Sequence, residues 1–270
     1  MNKTAYRTFF ELTKEPFTAD LKLKDILITP AIKGIEERFH YAIRLGAAAL
    51  VTGEIGSGKS TALRYAAGNL HPSEYRILSV TAASGSILDL YRQIINSLGI
   101  ESTSSSRAVM TRWIRHEIAE LARGKKMKIL LIIDEASLLR LEVFAELHTL
   151  MNFEHDSLPF LSIILAGQAN LVDNLLYRNS GPLASRVVGR VHLKGVDRQD
   201  MEQYLLHHLS LAGVKRNIFD EPAITAIHQG SGGLFRKANH LARGAIIVAA
   251  KKQEPIVNAE HVRIANSEIF

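Results

Sequence analysis

Cysteine is absent from all 270 residues, which excludes disulfides and thiolate metal sites but leaves the compartment open. No apolar run reaches the roughly 18 residues that a membrane-spanning helix needs. The opening residues, MNKTAYRTFFELTKEPF, lack the apolar core and small-residue cleavage site of a secretory signal. From these absences the expected location is cytoplasmic, with no membrane segment. There is also no internal repeat and no low-complexity linker. What is present is an ordinary globular balance of 47% hydrophobic and 22% charged residues, long enough for one or two domains with a substantial core.

The net charge of +6 is modest, and its placement says more than its size. Seven basic residues lie between Arg107 and Lys128 (Arg107, Arg112, Arg115, Arg123, Lys125, Lys126 and Lys128) against Glu117 and Glu120, a local +5. From Asp197 onward, nine basic residues face eight acids. The basic stretch has two explanations. It is either the footprint of a polyanion partner or a solvated helix face whose basic end complements the helix dipole. Charge alone does not choose between them.

Short apolar runs alternate with longer amphipathic stretches, the pattern of an α/β protein with a mainly parallel sheet. Strands are expected at Ala47–Thr52, Arg76–Val80, Ile129–Ile133, Phe160–Ala166 and Arg190–Leu193. Helical patterns cover Ser60–Leu70 and Ile87–Leu98, and Met110, Trp113, Ile114, Ile118 and Leu121 mark an apolar helix face. Ser102–Ser106 is a polar break suited to a loop and helix cap. After about Val196 the pattern turns all helical, with Arg198–Ala212, Glu221–Gln229 and Leu234–Lys251 followed by a short tail. The expected division is a nucleotide-binding α/β domain at 1–196, including an N-terminal extension at 1–45, and a helical lid domain at 197–270.

Gly53-Glu54-Ile55-Gly56-Ser57-Gly58-Lys59-Ser60 matches G-x-x-x-x-G-K-[ST] without a mismatch, between an expected strand and an expected helix that opens with Thr61. Each residue type has a physical reason. Gly53, Gly56 and Gly58 permit backbone angles and a close approach that a Cβ would block. The exposed N–H groups and the helix N-terminus then surround a β-phosphate. Lys59 supplies a mobile cation for the β- and γ-phosphates, and the Ser60 hydroxyl can ligate Mg²⁺. ATP and Mg²⁺ are the expected cofactors.

About 75 residues later, Ile129–Ile133 is a fully apolar strand ending in Asp134 and Glu135. Ligands of a doubly wound sheet sit at the carboxyl ends of its strands. Asp134 can there hold Mg²⁺ through water, and Glu135 can serve as general base for an attacking water. The structural alternative is a helix N-cap. A small-molecule kinase has no need of a water-activating Glu at this place, so the pair favours a hydrolase.

The expected fourth strand ends at Gln168, which could touch a γ-phosphate or orient water. Arg186 and Arg190 flank the start of the last strand, where one could serve a neighbouring subunit as an arginine finger. Gly232-Gly-Leu-Phe-Arg236-Lys-Ala-Asn239 puts an arginine at a helix start, poised over the nucleotide. A helix-turn-helix at Phe219–Ala245 is the weaker option, because the glycine pair lengthens the turn.

In this order of motifs the chain resembles an AAA+ ATPase. More narrowly it is similar to the ExeA/GspA-type ATPases, through Phe9-Phe10-Glu-Leu-Thr-Lys-Glu-Pro16-Phe17, Thr52–Thr61, Leu130–Ala136, Ala166-Gly-Gln168 and the Gly-Gly…Arg-Lys-Ala-Asn segment. The resemblance covers essentially the whole chain and implies a P-loop NTPase fold: a parallel five-stranded sheet flanked by helices, plus a small C-terminal helical lid. It implies Gln168 as first sensor, Arg236 as second sensor, and Arg186 as arginine finger with Arg190 behind it. Secretion-pathway members carry a membrane segment and a peptidoglycan-binding domain beyond the ATPase, and this sequence ends at Phe270 without them. The form without them resembles transposon-encoded regulators (TnsC, TniB, MuB). That likeness implies a homo-oligomer, a ring or helical filament and hexameric, assembled with ATP on double-stranded DNA to regulate a transposase, with hydrolysis dismantling it. Arg112, Arg115, Arg123, Lys125 and Lys126 are then the candidate DNA contacts. The alternative is a secretion-type ATPase acting on an envelope assembly.

Overall fold

The computed structural model describes residues 5–83, 86–101 and 103–267. Ser102 of the expected polar break, and the ends of the two expected domains at 1–4 and 268–270, lie outside the described residues. The chain forms two compact units: Thr29–Gly53 with Lys59–Leu193, and Met1–Ile28 with Glu54–Gly58 and Lys194–Phe270.

The first unit contains α2 (Pro30–Leu45), β1 (Ala48–Gly53), α3 (Lys59–Gly68), β2 (Tyr75–Thr81), α4 (Ile87–Leu98) and α5 (Arg107–Gly124). It continues with β3 (Lys128–Asp134), α6 (Leu141–Met151), β4 (Leu161–Gly167), α7 (Asn170–Leu176), α8 (Gly181–Ala184) and β5 (Val187–Leu193). All five strands pair in parallel, in the order β2-β3-β4-β1-β5. Every residue of β1 and β4 is buried, so both faces of the central strands are covered, as a parallel sheet requires. β5 is expected to begin at Arg190 and begins at Val187, because Gly189 interrupts an apolar run that the backbone nonetheless continues.

Sequence periodicity does not single out α2 or α6, yet both have clear local causes. Thr29 caps α2 by accepting the Ile32 amide at 3.3 Å, Pro30 opens its first turn, and Gly46 ends it at φ +60°. Its apolar stripe, Ile32, Ile35, Phe39, Ala42 and Ile43, is buried. A Cβ at Gly46 would lie 2.1 Å from the Pro159 Cβ, so glycine is required there on two counts.

The second unit contains α1 (Ala5–Phe9), α9 (Arg198–Leu211), α10 (Glu221–Ser231), α11 (Phe235–Lys251) and α12 (Ala259–Ser267). The last of these replaces the expected short tail. It buries His261, Val262 and Ala265. Asp197 and Asp220 cap α9 and α10 by accepting amides three residues on, at 2.8 and 2.7 Å. Residues 1–45 are expected as an N-terminal extension within the α/β domain at 1–196. In the structure, Met1–Ile28 clusters with the C-terminal helices. The physical reason is apolar: Tyr6, Phe10, Leu12 and Phe17 are buried in the same core as Leu205, Leu209, Leu241 and Ile246. Arg243 reinforces this by donating to the Phe17 carbonyl at 2.6 Å and pairing with Glu15.

Candidate nucleotide site

Parallel strands bring their carboxyl ends to one edge, and the order β3-β4-β1 sets Asp134, Gly167 and Gly53 on adjacent strands there. Thr52 lies opposite Gly167, and Ile133 opposite Leu165. This edge holds Gly53, where the phosphate loop begins, and the acidic pair.

The loop leaves β1 at Gly53 and enters α3 at Lys59. Lys59 is buried, and its Nζ donates to the Gly53 carbonyl at 2.8 Å. Gly56 and Gly58 sit at φ +86° and +92°, angles that cost any other residue dearly. Within the helical unit, the Arg236 amide donates to the Gly56 carbonyl at 3.2 Å. A Cβ on Gly56 would fall 2.8 Å from that of Arg236, and one on Gly58 would fall 3.3 Å from the Phe235 ring. Ser57 is buried, and among the described residues its hydroxyl has no hydrogen-bond partner. Glu54, Ile55 and Arg236 are exposed, and Thr61 is half-buried at the start of α3.

Asp134 closes β3. Its Oδ2 accepts the Ser60 hydroxyl at 2.8 Å, and its Oδ1 accepts the Glu135 amide at 2.9 Å. Glu135 stands in the left-handed region at φ +54°, at a cost of order 1 kcal/mol for a residue with a Cβ. Among the described residues its carboxylate has no hydrogen-bond or ion-pair partner.

Sequence patterning does not reveal Ser137, which binds the turn after Glu135 to the end of β4. Its hydroxyl accepts the Gln168 amide at 3.3 Å, and its carbonyl accepts the Asn174 side-chain amide at 3.4 Å. Gly167 permits this approach, since a Cβ there would lie 2.9 Å from the Ser137 nitrogen. Thr52 and His192 are a second unpredicted pair, with Oγ1 and Nδ1 3.0 Å apart. Neither pair has a sequence motif; only strand register joins them.

The two candidate finger arginines have different surroundings. Arg186 is only 16% exposed and forms an ion pair with Asp156, while its carbonyl accepts the Ala48 amide at 2.9 Å. Burial, and then the Arg186 charge, hold the His148 imidazole below its usual range. Arg190 is exposed on β5 opposite Leu50 and lines a groove with Arg38, Arg44 and Lys128.

The basic cluster of α5 is only partly available. Arg107 pairs with Glu146 at 3.0 Å. Arg115 donates to the Thr149 carbonyl at 2.8 Å and lies over the Phe153 ring. Arg123 pairs with Glu154 at 2.5 Å and lies over Phe160. Arg112, Lys125 and Lys126 are exposed.

The residues present fit a magnesium nucleotide. A paired hydroxyl and carboxylate are hard oxygen donors of the kind Mg²⁺ takes, and Ser57, whose hydroxyl has no partner among the described residues, lies in the same loop as two left-handed glycines. Among the described residues no cluster of three or more His, Asp or Glu side chains could hold a metal, so a cation here would take its remaining ligands from phosphate oxygens and water. No helix is long and apolar enough to cross a membrane among the described residues.

Residues 44–175 match the family model described as AAA domain. Among curated proteins, the chain is 30% identical over 259 residues to General secretion pathway protein A of Aeromonas hydrophila, a match covering 94% of this chain and 47% of that protein. The chain thus spans about half the length of the curated relative it matches. Among solved structures, Cdc6p from Pyrobaculum aerophilum superposes with a TM-score of 0.73 at 14% identity, over 94% of this chain and 70% of that one. The Aeropyrum pernix ORC1 protein in complex with DNA gives 0.66 at 17% identity, over 94% and 68%. With the loop, the acidic strand end and the sheet order, these likenesses establish that the chain has the P-loop AAA+ fold, residues 44–175 being the part that matches the AAA domain model.

Proposed function

We propose that the protein is an Mg²⁺-dependent ATP hydrolase that oligomerises with ATP on double-stranded DNA and regulates a transposase, hydrolysis driving disassembly. The observation that carries the hydrolase is the division of labour at the end of β3. Asp134 is engaged through both oxygens, one of them with Ser60, whereas the Glu135 carboxylate has no partner among the described residues.

In this reading the Gly53–Thr61 backbone and the Ser57 hydroxyl bind the phosphates, and Lys59 exchanges the Gly53 carbonyl for phosphate oxygen. Ser60 and Asp134 hold Mg²⁺, which when bound would offset phosphate charge. Glu135 accepts the proton of the attacking water, a role that contributes about 10²–10⁴-fold in rate. Gln168, its backbone tied to Ser137, orients that water as first sensor. Arg236, bonded through its amide to Gly56, acts as second sensor from the helical lid at 197–270. Arg186 is assigned as the finger completing a neighbour's site, and Arg190 is left to the groove it lines.

Support for DNA comes from the net charge of +6 and from the fold shared with a protein described in complex with DNA. The test is titration of fluorescent duplex DNA at low salt, with ATP, with a slowly hydrolysed analogue and with no nucleotide. Nucleotide-dependent binding is expected; no binding in any state would remove DNA from the account. A second function is favoured by the 30% identity to General secretion pathway protein A: an ATPase acting on an envelope assembly. That function predicts capture by a membrane partner and indifference to DNA.

A further inference from the structure

We infer that a groove between the exposed face of α2 and the starts of β2, β3 and β5 receives the phosphate backbone of the duplex. This deepens the DNA proposal and rests on it. The groove encloses about 870 Å³ and is lined by Arg38, Tyr41, Arg44, Tyr75, Lys128 and Arg190 among others.

These four cations are scattered over the sequence and gathered only by the fold. Among the described residues, the one carboxylate lining the groove is Glu37, which is paired with Arg38 at 3.0 Å. Both side chains are well exposed, so this ion pair is weak and readily exchanged for phosphate. Among the described residues, Arg44, Lys128 and Arg190 pair with no carboxylate. Gathering like charges is unfavourable without a counter-anion.

The groove is also built to hold its cations in place. Arg44 lies over the Tyr41 ring at 5.2 Å, and Lys128 lies over Tyr75 at 5.9 Å. The Arg38 stem rests on the β5 backbone where Gly189 has no side chain; a Cβ there would be 2.9 Å from Arg38 Cγ. The opposite stripe of α2 is buried, so the cationic face sits on an anchored helix. His40 also lines the groove.

Location separates this surface from the nucleotide. Lys128 begins β3 and Asp134 ends it, a span of about 20 Å at 3.3 Å per residue. A polyanion in the groove therefore does not compete with a triphosphate. On α5, by contrast, Arg115 is held on the Thr149 carbonyl, and Arg107 and Arg123 each face a carboxylate, Glu146 and Glu154, whereas Arg44, Lys128 and Arg190 face none among the described residues. The open groove, with cations spread along it and few acceptors, suits a backbone bound without regard to sequence.

The experiment measures duplex affinity against salt concentration, with the ATP analogue present, for the wild type and for Arg44→Gln/Lys128→Gln. Each phosphate contact contributes about 0.9 to the slope of log affinity on log salt. The double variant is expected to lose about 2 from that slope and at least about tenfold in affinity at low salt. Lys128→Arg, which keeps the charge, should retain wild-type affinity, and melting temperatures check that each variant folds. A wild type that binds while the folded double variant keeps the same slope and affinity overturns the groove assignment and leaves the DNA proposal standing. A wild type that binds no duplex overturns both. Tighter binding of poly-glutamate than of duplex at equal ionic strength overturns the assignment in favour of an acidic protein segment.

Discussion

Glu135 occupies a backbone conformation that favours glycine, at φ +54°, immediately after an Asp whose two oxygens are both engaged. Those two facts separate the roles of adjacent carboxylates that look equivalent in sequence. In the proposed mechanism Asp134 would serve as the ligand, and Glu135, with lone pairs left for a proton, as the base. Glu135→Gln keeps the shape and removes the basicity. Steady-state turnover of the variant should fall by about 10²–10⁴-fold, while equilibrium binding of a fluorescent ATP analogue stays unchanged. Turnover that survives would remove Glu135 from the role of base, and an unchanged phenotype in a variant without turnover would make the protein a nucleotide-dependent scaffold. The phosphate loop and this pair were legible because each is contiguous in sequence, with spacing that its chemistry dictates. Ser137 with Gln168, Arg186 with Asp156, and the four cations of the groove were not, since each set meets only after folding. The Arg107–Lys128 cluster illustrates the converse. Its charge is plain in the sequence, but the acids and carbonyls that engage Arg107, Arg115 and Arg123 come from α6 and the residues following it.

At the scale of elements, the central strands were the easiest to read, because a strand covered on both faces is a continuous apolar run. Ile129–Ile133 was extended by one residue at each end. Helix α6 buries Val143, Phe144, Leu147, Leu150 and Met151, whereas apolar Leu141 and Ala145 stay half-buried, which blurs the stripe in sequence. Helix α9 carries a feature with a pH signature. His208 is 3% exposed, its ring lies 5.4 Å from Phe17 and 4.5 Å from Tyr204, and its Nε2 has no partner among the described residues. Burial foremost, then the charges of His207 and Lys14, push its pKa down to about 4. The unfolded chain, with an ordinary value near 6.5, binds the proton more readily. Stability from this group is therefore complete above about pH 6.5 and is lost as pH falls toward 4, by up to about 3 kcal/mol. His208→Leu should show a smaller drop in melting temperature than wild type between pH 7 and pH 5. Parallel drops would mean that the imidazole is not buried neutral.

For the whole molecule, the Phe9–Phe17 opening gains its physical meaning from the structure. Phe10 and Phe17 are core residues of the helical unit, so this stretch is structural as well as part of the resemblance. Composition and motif order anticipated the α/β fold and an all-helical C-terminal part. They could not anticipate that Met1–Ile28 clusters with those helices, because an apolar segment does not declare in sequence which core it will join. The AAA+ fold with a partly buried finger candidate makes assembly the central claim. Sedimentation velocity of the 29.9 kDa chain tests it most directly, with duplex DNA and with or without a slowly hydrolysed ATP analogue. The account predicts a DNA-bound species several times the monomer mass that forms only with the analogue. A 29.9 kDa species in every condition, with the DNA sedimenting free, would contradict it.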